Sequence, residues 1–193
     1  TKLLDKYKNC SNVFHIDGSS FLDYKKLETD HDYYFSRYAL IWGWATWKRA
    51  WKLYDINMTS LEKNSKSNFL DGIFQTPKEK KYWYKKLEDA KNIDTWDYQW
   101  FYTIWKNRGY TIQPTINLIK NIGFDELATH TKSSNHTLNS MVASKKDFNK
   151  IRHPKTIEIN PNYDIQTSYR RFNISKSYYK RIIEKLLSII YTK

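Results

Sequence analysis

Aromatic side chains constrain the fold of this chain more than any other feature of its sequence. The 193 residues include 16 Tyr, 9 Phe and 8 Trp, and hydrophobic residues make up 40%. Disordered chains are poor in such residues because they do not bury a core. The composition therefore predicts a folded domain. The densest aromatic segment contains Tyr33, Tyr34, Phe35, Tyr38, Trp42, Trp44, Trp47, Trp51 and Tyr54.

Hydrophobic periodicity predicts short strands and helices along the chain. A β-prone run at residues 13–16, closed by Asp17-Gly18, predicts a buried strand, and residues 110–112 predict another. Helical patterns cover residues 1–9, 78–91 and 97–107, with Gly109 as a stop signal for the last. Residues 22–34 are polar and predict a loop, and residues 116–119 predict a short extended segment.

The segment after residue 43 predicts a further helix. Trp44, Trp47, Trp51 and Tyr54 recur at helical spacing, which is typical of one face of a helix that begins near Ala45. The opposite face would carry basic side chains.

Charge predicts an anionic partner. The formal net charge is +13, and residues 142–193 contain 12 basic and 4 acidic residues. Nucleic acid, anionic lipid or a phosphorylated substrate would each suit this excess. No recognised nucleic-acid-binding motif accompanies it, so nucleic acid is the least favoured of the three.

The end of the chain predicts an amphipathic helix after Ser175. Its apolar residues repeat every four positions: Tyr178, Ile182, Leu186 and Ile190. Such a helix beside basic residues suits an anionic membrane surface, although it could equally pack on the domain or on a second protomer. Since no apolar run approaches the length of a membrane span, we expect a cytoplasmic protein with peripheral contact at the inner face of the plasma membrane.

The sequence lacks several common catalytic signatures. It has no Gly-rich phosphate loop and no Ser nucleophile elbow, and its one cysteine, Cys10, excludes an internal disulfide or a multi-Cys metal site. Two aromatic clusters and one histidine remain as candidates for chemistry.

The first cluster is Trp42-Gly43-Trp44-Ala45-Thr46-Trp47. A glycine between large rings would let a ligand approach the backbone, and Trp faces pack well on sugar rings. Alternatively, these Trp residues only form core, which is the usual role of aromatic residues at helical spacing.

The second cluster surrounds Asp97, between Trp96 and Trp100. A carboxylate in the first turn of a helix is stabilised by the free N–H groups, and in an aromatic pocket it could act as a general base. Alternatively, Asp97 or Thr95 only caps the helix. His130 could ligate a metal or hold a phosphate, or it could be an ordinary loop histidine.

These clusters together resemble a group of bacterial nucleotide-diphospho-sugar transferases, described as glycosyltransferase family 2-like or hemolytic-protein-like. The resemblance covers most of residues 1–164. The chain is also similar, more distantly, to N-acetylglucosaminyltransferase I. It is carried by four motifs in order: Trp42-Gly43-Trp44-Ala45-Thr46-Trp47-Lys48-Arg49-Ala50-Trp51; Thr95-Trp96-Asp97-Tyr98-Gln99-Trp100; residues 114–131, which include Asn121-Ile122-Gly123-Phe124; and Arg152-His153-Pro154-Lys155.

The resemblance implies an α/β architecture, the C-terminal portion of a GT-A fold with a helical tail. Residues 1–141 would be the C-terminal half of the catalytic domain, and residues 142–193 a basic extension. The Asp-x-Asp ligands of Mn²⁺ or Mg²⁺ would lie upstream of a segment like residues 3–7, and the start at Thr1 instead of Met fits a missing N-terminal half. The chain alone should therefore bind donor weakly.

The resemblance also implies roles for individual residues. Asp97 would be the base of an inverting sugar transfer from a nucleotide-diphosphate sugar to a glycan or lipid-linked acceptor, and His130 a metal ligand. The more distant transferase relative has two adjacent Asp after its Trp, the second being the base, whereas here Tyr98 follows Asp97 and one residue is added before Trp100. The substrate-binding residues would be Trp42, Gly43, Trp44, Trp47, Trp96 and Trp100. The alternative function is a non-catalytic carbohydrate-binding module that uses the same Trp residues.

Overall fold

The computed structural model describes residues 1–23, 29–61, 69–74, 76–120, 143–144 and 147–174. These residues form a mixed α/β structure with a four-stranded sheet, which confirms the predicted α/β class. The strands are β1 (Val13–Ile16), β2 (Tyr33–Ser36), β3 (Ala45–Thr46) and β4 (Tyr110–Pro114). The helices are α1 (Lys2–Lys6), α2 (Lys48–Trp51), α3 (Pro77–Ala90), α4 (Asp97–Lys106) and α5 (Pro161–Phe172).

The sheet has the strand order β2-β4-β1-β3. Its central strands, β1 and β4, are parallel, with His15 opposite Thr111. The outer strands β2 and β3 run antiparallel to their neighbours, β4 and β1. Most residues of the central strands are buried, as expected for strands covered on both faces.

The largest core cluster lies around Trp83 of α3. The Trp83 side chain is fully buried, and its ring centroid lies 5.0 Å from that of Trp105 and 4.7 Å from that of Phe172, both in edge-to-face geometry. Edge-to-face pairs place the positive rim of one ring against the negative face of another. This cluster joins α3, α4 and α5.

Two buried carboxylates attach α5 to the rest of the fold. Asp164 accepts hydrogen bonds from the Ser36 hydroxyl at 2.5 Å and from the Arg37 N–H at 3.1 Å. Burial raises the pKa of Asp164 to about 7. Glu79 accepts hydrogen bonds from the hydroxyls of Tyr38 and Ser168, both at 3.0 Å. These contacts fix the orientation of α5 on β2 and α3.

Local signals explain several predicted boundaries. The β1 prediction is confirmed at all four residues, and α3 begins after Thr76, whose side chain accepts the Glu79 N–H at 3.1 Å. Helix α4 ends with Arg108 in the left-handed region at φ 53°, and the Gly109 N–H bonds to the Ile104 carbonyl at 2.8 Å. This is a Schellman ending.

The predicted helix beginning near Ala45 is wrong. Ala45 and Thr46 form β3, which pairs with β1, and the Thr46 hydroxyl donates to the Phe14 carbonyl at 2.6 Å. Strand pairing holds these residues extended, so the helix that follows, α2, is only four residues long. The aromatic spacing therefore does not mark one helical face: Trp44, Trp51 and Tyr54 lie together, whereas Trp47 contacts Leu4 of α1.

Two other elements differ from expectation. The predicted loop at residues 22–34 is wrong at its end, because Tyr33 begins β2 and pairs with Pro114. Helix α5 was not predicted, although Asn160 caps its first turn by accepting the Tyr163 N–H at 3.2 Å and Pro161 begins it. Residues 116–119 form no strand.

Some predictions concern residues outside the described ranges. The amphipathic helix after Ser175 and the loop histidine His130 both lie there. Among the helices that the structure describes, none has the length and apolar character needed to cross a membrane.

Candidate functional site

Five aromatic rings from three parts of the chain meet at the start of α4. Trp44 stacks on Trp96 at 5.1 Å, and Trp51 lies parallel to Tyr54 at 4.5 Å. Trp100 lies beneath them, 5.1 Å from Trp51, and is fully buried. Trp51 and Trp96 remain 39% and 36% exposed. We call Trp44, Trp51, Tyr54, Trp96 and Trp100 the aromatic cluster.

A buried histidine supports the aromatic cluster from below. The indole N–H of Trp100 donates to His15 Nδ1 at 3.1 Å, and His15 Nε2 lies 2.9 Å from the Leu40 carbonyl. The imidazole stacks on Trp44 at 5.4 Å. Burial lowers the pKa of His15 to about 4. The ring is therefore neutral near pH 7, and these partners assign its proton to Nε2.

A buried aspartate follows the same strand. Asp17 accepts hydrogen bonds from the Leu40 N–H at 2.8 Å and from the Ser19 hydroxyl at 3.0 Å. Burial raises the pKa of Asp17 well above its usual value. His15 and Asp17 thus hold the carbonyl and the N–H of one residue, Leu40, and Leu40 lines the cavity described next.

Asp97 lies at the edge of a small cavity beside the aromatic cluster. It is the first residue of α4, and its Oδ1 accepts hydrogen bonds from the Thr95 hydroxyl and from the Tyr98 N–H, the latter at 2.9 Å. The cavity has a volume of about 40 Å³. Its polar and aromatic lining brings the predicted residues Trp42 and Asp97 together with others: Ser19, Phe21, Tyr98, Phe101, Arg171 and Phe172.

The structure favours a glycine at position 43 for a reason that differs from the expected one. Its φ is +64°, which favours glycine. A Cβ built on Gly43 would lie 2.4 Å from Ile119 Cδ1. The space beside this glycine, where a ligand was expected to approach, is therefore filled by the Ile119 side chain.

Trp47 is not part of the aromatic cluster. Its indole N–H donates to the Leu4 carbonyl at 3.0 Å, and the Arg49 guanidinium lies 4.7 Å from the centre of its ring. Trp47 therefore anchors α1 to the sheet. Trp100 also differs from expectation, because its burial leaves it no surface for a ligand.

Sequence reasoning overlooked an Asp-x-Asp sequence at residues 30–32. In the structure, Asp32 pairs with Arg152 at 2.8 Å, while Asp30 is exposed and contacts His31 at 3.0 Å. His153, from the fourth motif, bonds to the Tyr33 hydroxyl at 2.7 Å. The side chains of these residues bond to neighbouring protein groups, and they do not point to one common position as metal ligands would.

The predicted Mn²⁺ or Mg²⁺ site is not found among the residues that the structure describes. Within the described ranges, no three His, Cys, Asp or Glu side chains come together in a way that could hold a metal ion. His130 lies outside these ranges. The involvement of Mn²⁺ or Mg²⁺ stays a prediction.

Three residues of the site were not singled out from the sequence. His15 and Asp17 flank the end of β1, and a strand prediction with an inward-facing polar residue could have pointed to His15. Arg171 comes from α5, which was not predicted, and nothing near it in sequence indicates that it lines a cavity with Trp42 and Asp97.

Comparisons of the chain with protein-family models, with curated proteins and with solved structures found no match. The resemblance to nucleotide-diphospho-sugar transferases therefore depends on the four motifs alone.

Proposed function

We propose that this chain supplies the acceptor-side part of a GT-A glycosyltransferase. The reaction would move a sugar from a nucleotide-diphosphate donor to an acceptor hydroxyl with inversion. One observation carries the proposal: a carboxylate, Asp97, lines a small cavity and directly follows Trp96, an exposed ring of the aromatic cluster. A few convergent polar groups in a mostly aromatic site are typical of small-ligand sites.

Asp97 has the surroundings that a general base needs. The Thr95 hydroxyl and the Tyr98 N–H both bind Oδ1 and orient the carboxylate. Within the described part of the chain, Oδ2 accepts no hydrogen bond. The acceptor hydroxyl would give its proton to Oδ2 while its oxygen attacks the anomeric carbon and the nucleoside diphosphate leaves. A bound Mn²⁺ or Mg²⁺ would neutralise charge on that leaving group.

The aromatic cluster supplies a surface for the acceptor. Trp51 and Tyr54 stack on each other with ring planes 6° apart, so each covers one face of the other. The exposed remainder of Trp51 lies beside Trp96 and is the apolar surface on offer. The Tyr54 hydroxyl donates to the Trp96 carbonyl at 3.1 Å, which ties the two sides together. A sugar packed against Trp96 would lie near Asp97, the residue that follows Trp96 at the start of α4.

The positive net charge of the chain indicates what kind of acceptor it would bind. The net charge of +13 suits an acidic glycan or a lipid-linked acceptor at an anionic membrane. We propose that the protein works in surface glycan synthesis, in the cytoplasm and in peripheral contact with the plasma membrane.

A carbohydrate-binding module without catalysis is the second candidate. The aromatic cluster favours it, because ring stacking can bind a glycan with neither a metal nor a nucleotide. The two functions differ in what binding depends on: a transferase needs a nucleotide sugar for turnover, whereas a module binds glycan without it.

The test is a transfer assay on the full-length protein. It would be incubated with nucleotide-diphosphate sugars, glycan and lipid-linked acceptors, and Mn²⁺ or Mg²⁺, and products would be identified by mass spectrometry. A product larger by one sugar supports the transferase. Glycan binding that no nucleotide or metal alters, with no product, supports the module. Absence of both transfer and glycan binding would contradict both functions.

A further inference from the structure

Arg171 brings a cation into the cavity that holds Asp97. It lies in the last turn of α5, and its guanidinium carbon is 5.8 Å from the Trp42 ring centre, 5.7 Å from that of Phe21 and 5.4 Å from that of Phe172. Both Arg171 and Asp97 line the cavity. An arginine stacked on ring faces keeps its N–H groups available for a planar oxyanion.

The guanidinium of Arg171 has no ion pair with any residue that the structure describes. In contrast, Arg152 pairs with Asp32 at 2.8 Å and Arg170 with Asp23 at 2.9 Å. Burial lowers the pKa of Arg171, and the charges of Tyr98, Tyr82 and Asp97 only partly oppose this. Asp97 lines the same cavity but forms no ion pair with Arg171, so the guanidinium keeps N–H groups that can bind an external anion.

The fold holds Arg171 in position. Ser168, three residues earlier, donates to Glu79 at 3.0 Å, and Phe172, one residue later, packs edge-to-face on Trp83 at 4.7 Å. Both partners belong to the buried α3 face. The helix turn that carries Arg171 is therefore fixed on the core, and the binding group is preorganised.

We propose that Arg171 binds an oxyanion group of a substrate, a phosphoryl or carboxylate group, next to Asp97. The cavity, at about 40 Å³, is too small for a sugar ring, so an oxyanion would reach Arg171 with one edge and keep the rest of its bulk outside. That the anion belongs to a substrate rests on the proposed function, whereas anion binding itself does not. Its source is either the donor diphosphate or an acidic sugar of the acceptor.

A purely structural role for Arg171 makes different predictions. A cation near the end of α5 is favoured by the helix dipole, and its methylene stem packs on the rings around it. If these were its only roles, Arg171→Gln would destabilise the fold and leave anion binding unchanged. If it is an anion site, the free protein should lose little stability, because an unpaired cation is removed.

The experiment is calorimetric titration of this chain with inorganic pyrophosphate and, separately, with glucuronic acid, at constant ionic strength. Methyl glucoside is the neutral probe. The variants are Arg171→Gln, Arg171→Lys and the adjacent Arg170→Gln, which loses only an exposed ion pair. We expect Arg170→Gln to bind like the wild type and Arg171→Gln to bind about 30-fold or more weakly, with Arg171→Lys between them.

Each probe identifies a source. A loss with pyrophosphate supports the donor diphosphate, and a loss with glucuronic acid supports an acidic acceptor. Equal binding by Arg171→Gln and wild type, or no binding of either anion by the wild type, would overturn the proposal. If Arg171→Gln does not fold, the NMR shift of the Arg171 Nε–H during wild-type titration decides instead, and an unmoved signal overturns it. Anion binding without sugar transfer would contradict only the proposed function.

Discussion

The indole N–H of Trp100 donates a hydrogen bond to Nδ1 of His15 at 3.1 Å, and this bond joins the start of α4 to the central strand β1. Both side chains are fully buried. The bond places Asp97, three residues before Trp100, at a fixed position relative to Leu40, whose carbonyl His15 also contacts. The geometry of the candidate site is therefore set by a neutral histidine in the core.

Acid should weaken the fold through His15. Its pKa is about 4 in the folded chain and near 6.5 when unfolded. Between these values the unfolded chain binds a proton that the folded chain does not, so this contribution to stability is present above pH 6.5 and lost as the pH falls toward 4. The loss is on the order of 3 kcal/mol. Urea unfolding of wild type and His15→Gln from pH 4 to pH 7.5 measures it.

Two buried carboxyl groups have the opposite effect on the pH dependence of stability, so the wild type must be compared with His15→Gln. The pKa of Asp164 is raised to about 7 and that of Asp17 is raised, so both favour folding less as the pH rises above 4. They remain in His15→Gln, so the difference between the two proteins reports His15 together with its contact to Asp17, whose Oδ2 lies 3.7 Å from His15 Nε2. If that difference stays constant across the pH range, the folded chain does not hold a neutral His15.

The exposed rings of the aromatic cluster should bind glycan. We expect Trp51→Ala and Trp96→Ala each to weaken glycan binding about 10-fold or more, because large aromatic contacts dominate binding surfaces. Leu53→Ala is the matched control, since Leu53 is 49% exposed and close to Trp51 in sequence. Titrations of this chain with glycans, followed by Trp fluorescence, measure the affinities. Equal affinity of Leu53→Ala and Trp51→Ala would remove Trp51 from the binding surface.

Gly43 should be harder to replace than another glycine with similar backbone geometry. Gly43 and Gly72 have φ values of +64° and +74°, but a Cβ on Gly72 would meet no atom within 4 Å. We expect Gly72→Ala to cost about 1–2 kcal/mol for the left-handed backbone and Gly43→Ala about 1–3 kcal/mol more for the contact with Ile119. Chemical denaturation measures both values.

A double variant separates strain from contact at Gly43. Adding Ile119→Ala to Gly43→Ala removes the side chain that the new Cβ would meet, so the extra cost of the Gly43 substitution should shrink in that background. An equal cost with and without Ile119 would show that Ile119 does not occupy this space.

Local patterns in the sequence predicted the elements that local interactions determine. The strand at Val13–Ile16 and the helix from Asp97 follow from β propensity, turn residues and helical periodicity. The predicted helix near Ala45 failed because pairing of His15 with Thr46, across 31 residues of chain, overrides local periodicity. Long-range pairing of this kind leaves little trace in the spacing of Trp residues.

The candidate site was predicted only in part for a similar reason. Trp42 and Asp97 line one cavity and Trp44 stacks on Trp96, while their binding and catalytic roles stay predictions. Arg171 reaches the same cavity because buried polar contacts attach α5 to β2 and α3, and such contacts depend on tertiary structure.

The most direct test of the account compares Asp97→Asn with Asp94→Asn in the full-length protein. Both substitutions remove one negative charge, but Asp94 is exposed and does not line the cavity with Arg171. Rates of sugar transfer and glycan affinities would be measured for both. The account predicts that Asp97→Asn keeps glycan affinity and loses about 10²–10⁴-fold in kcat, while Asp94→Asn behaves like the wild type. Near-normal transfer by Asp97→Asn would contradict the role of Asp97 as the base.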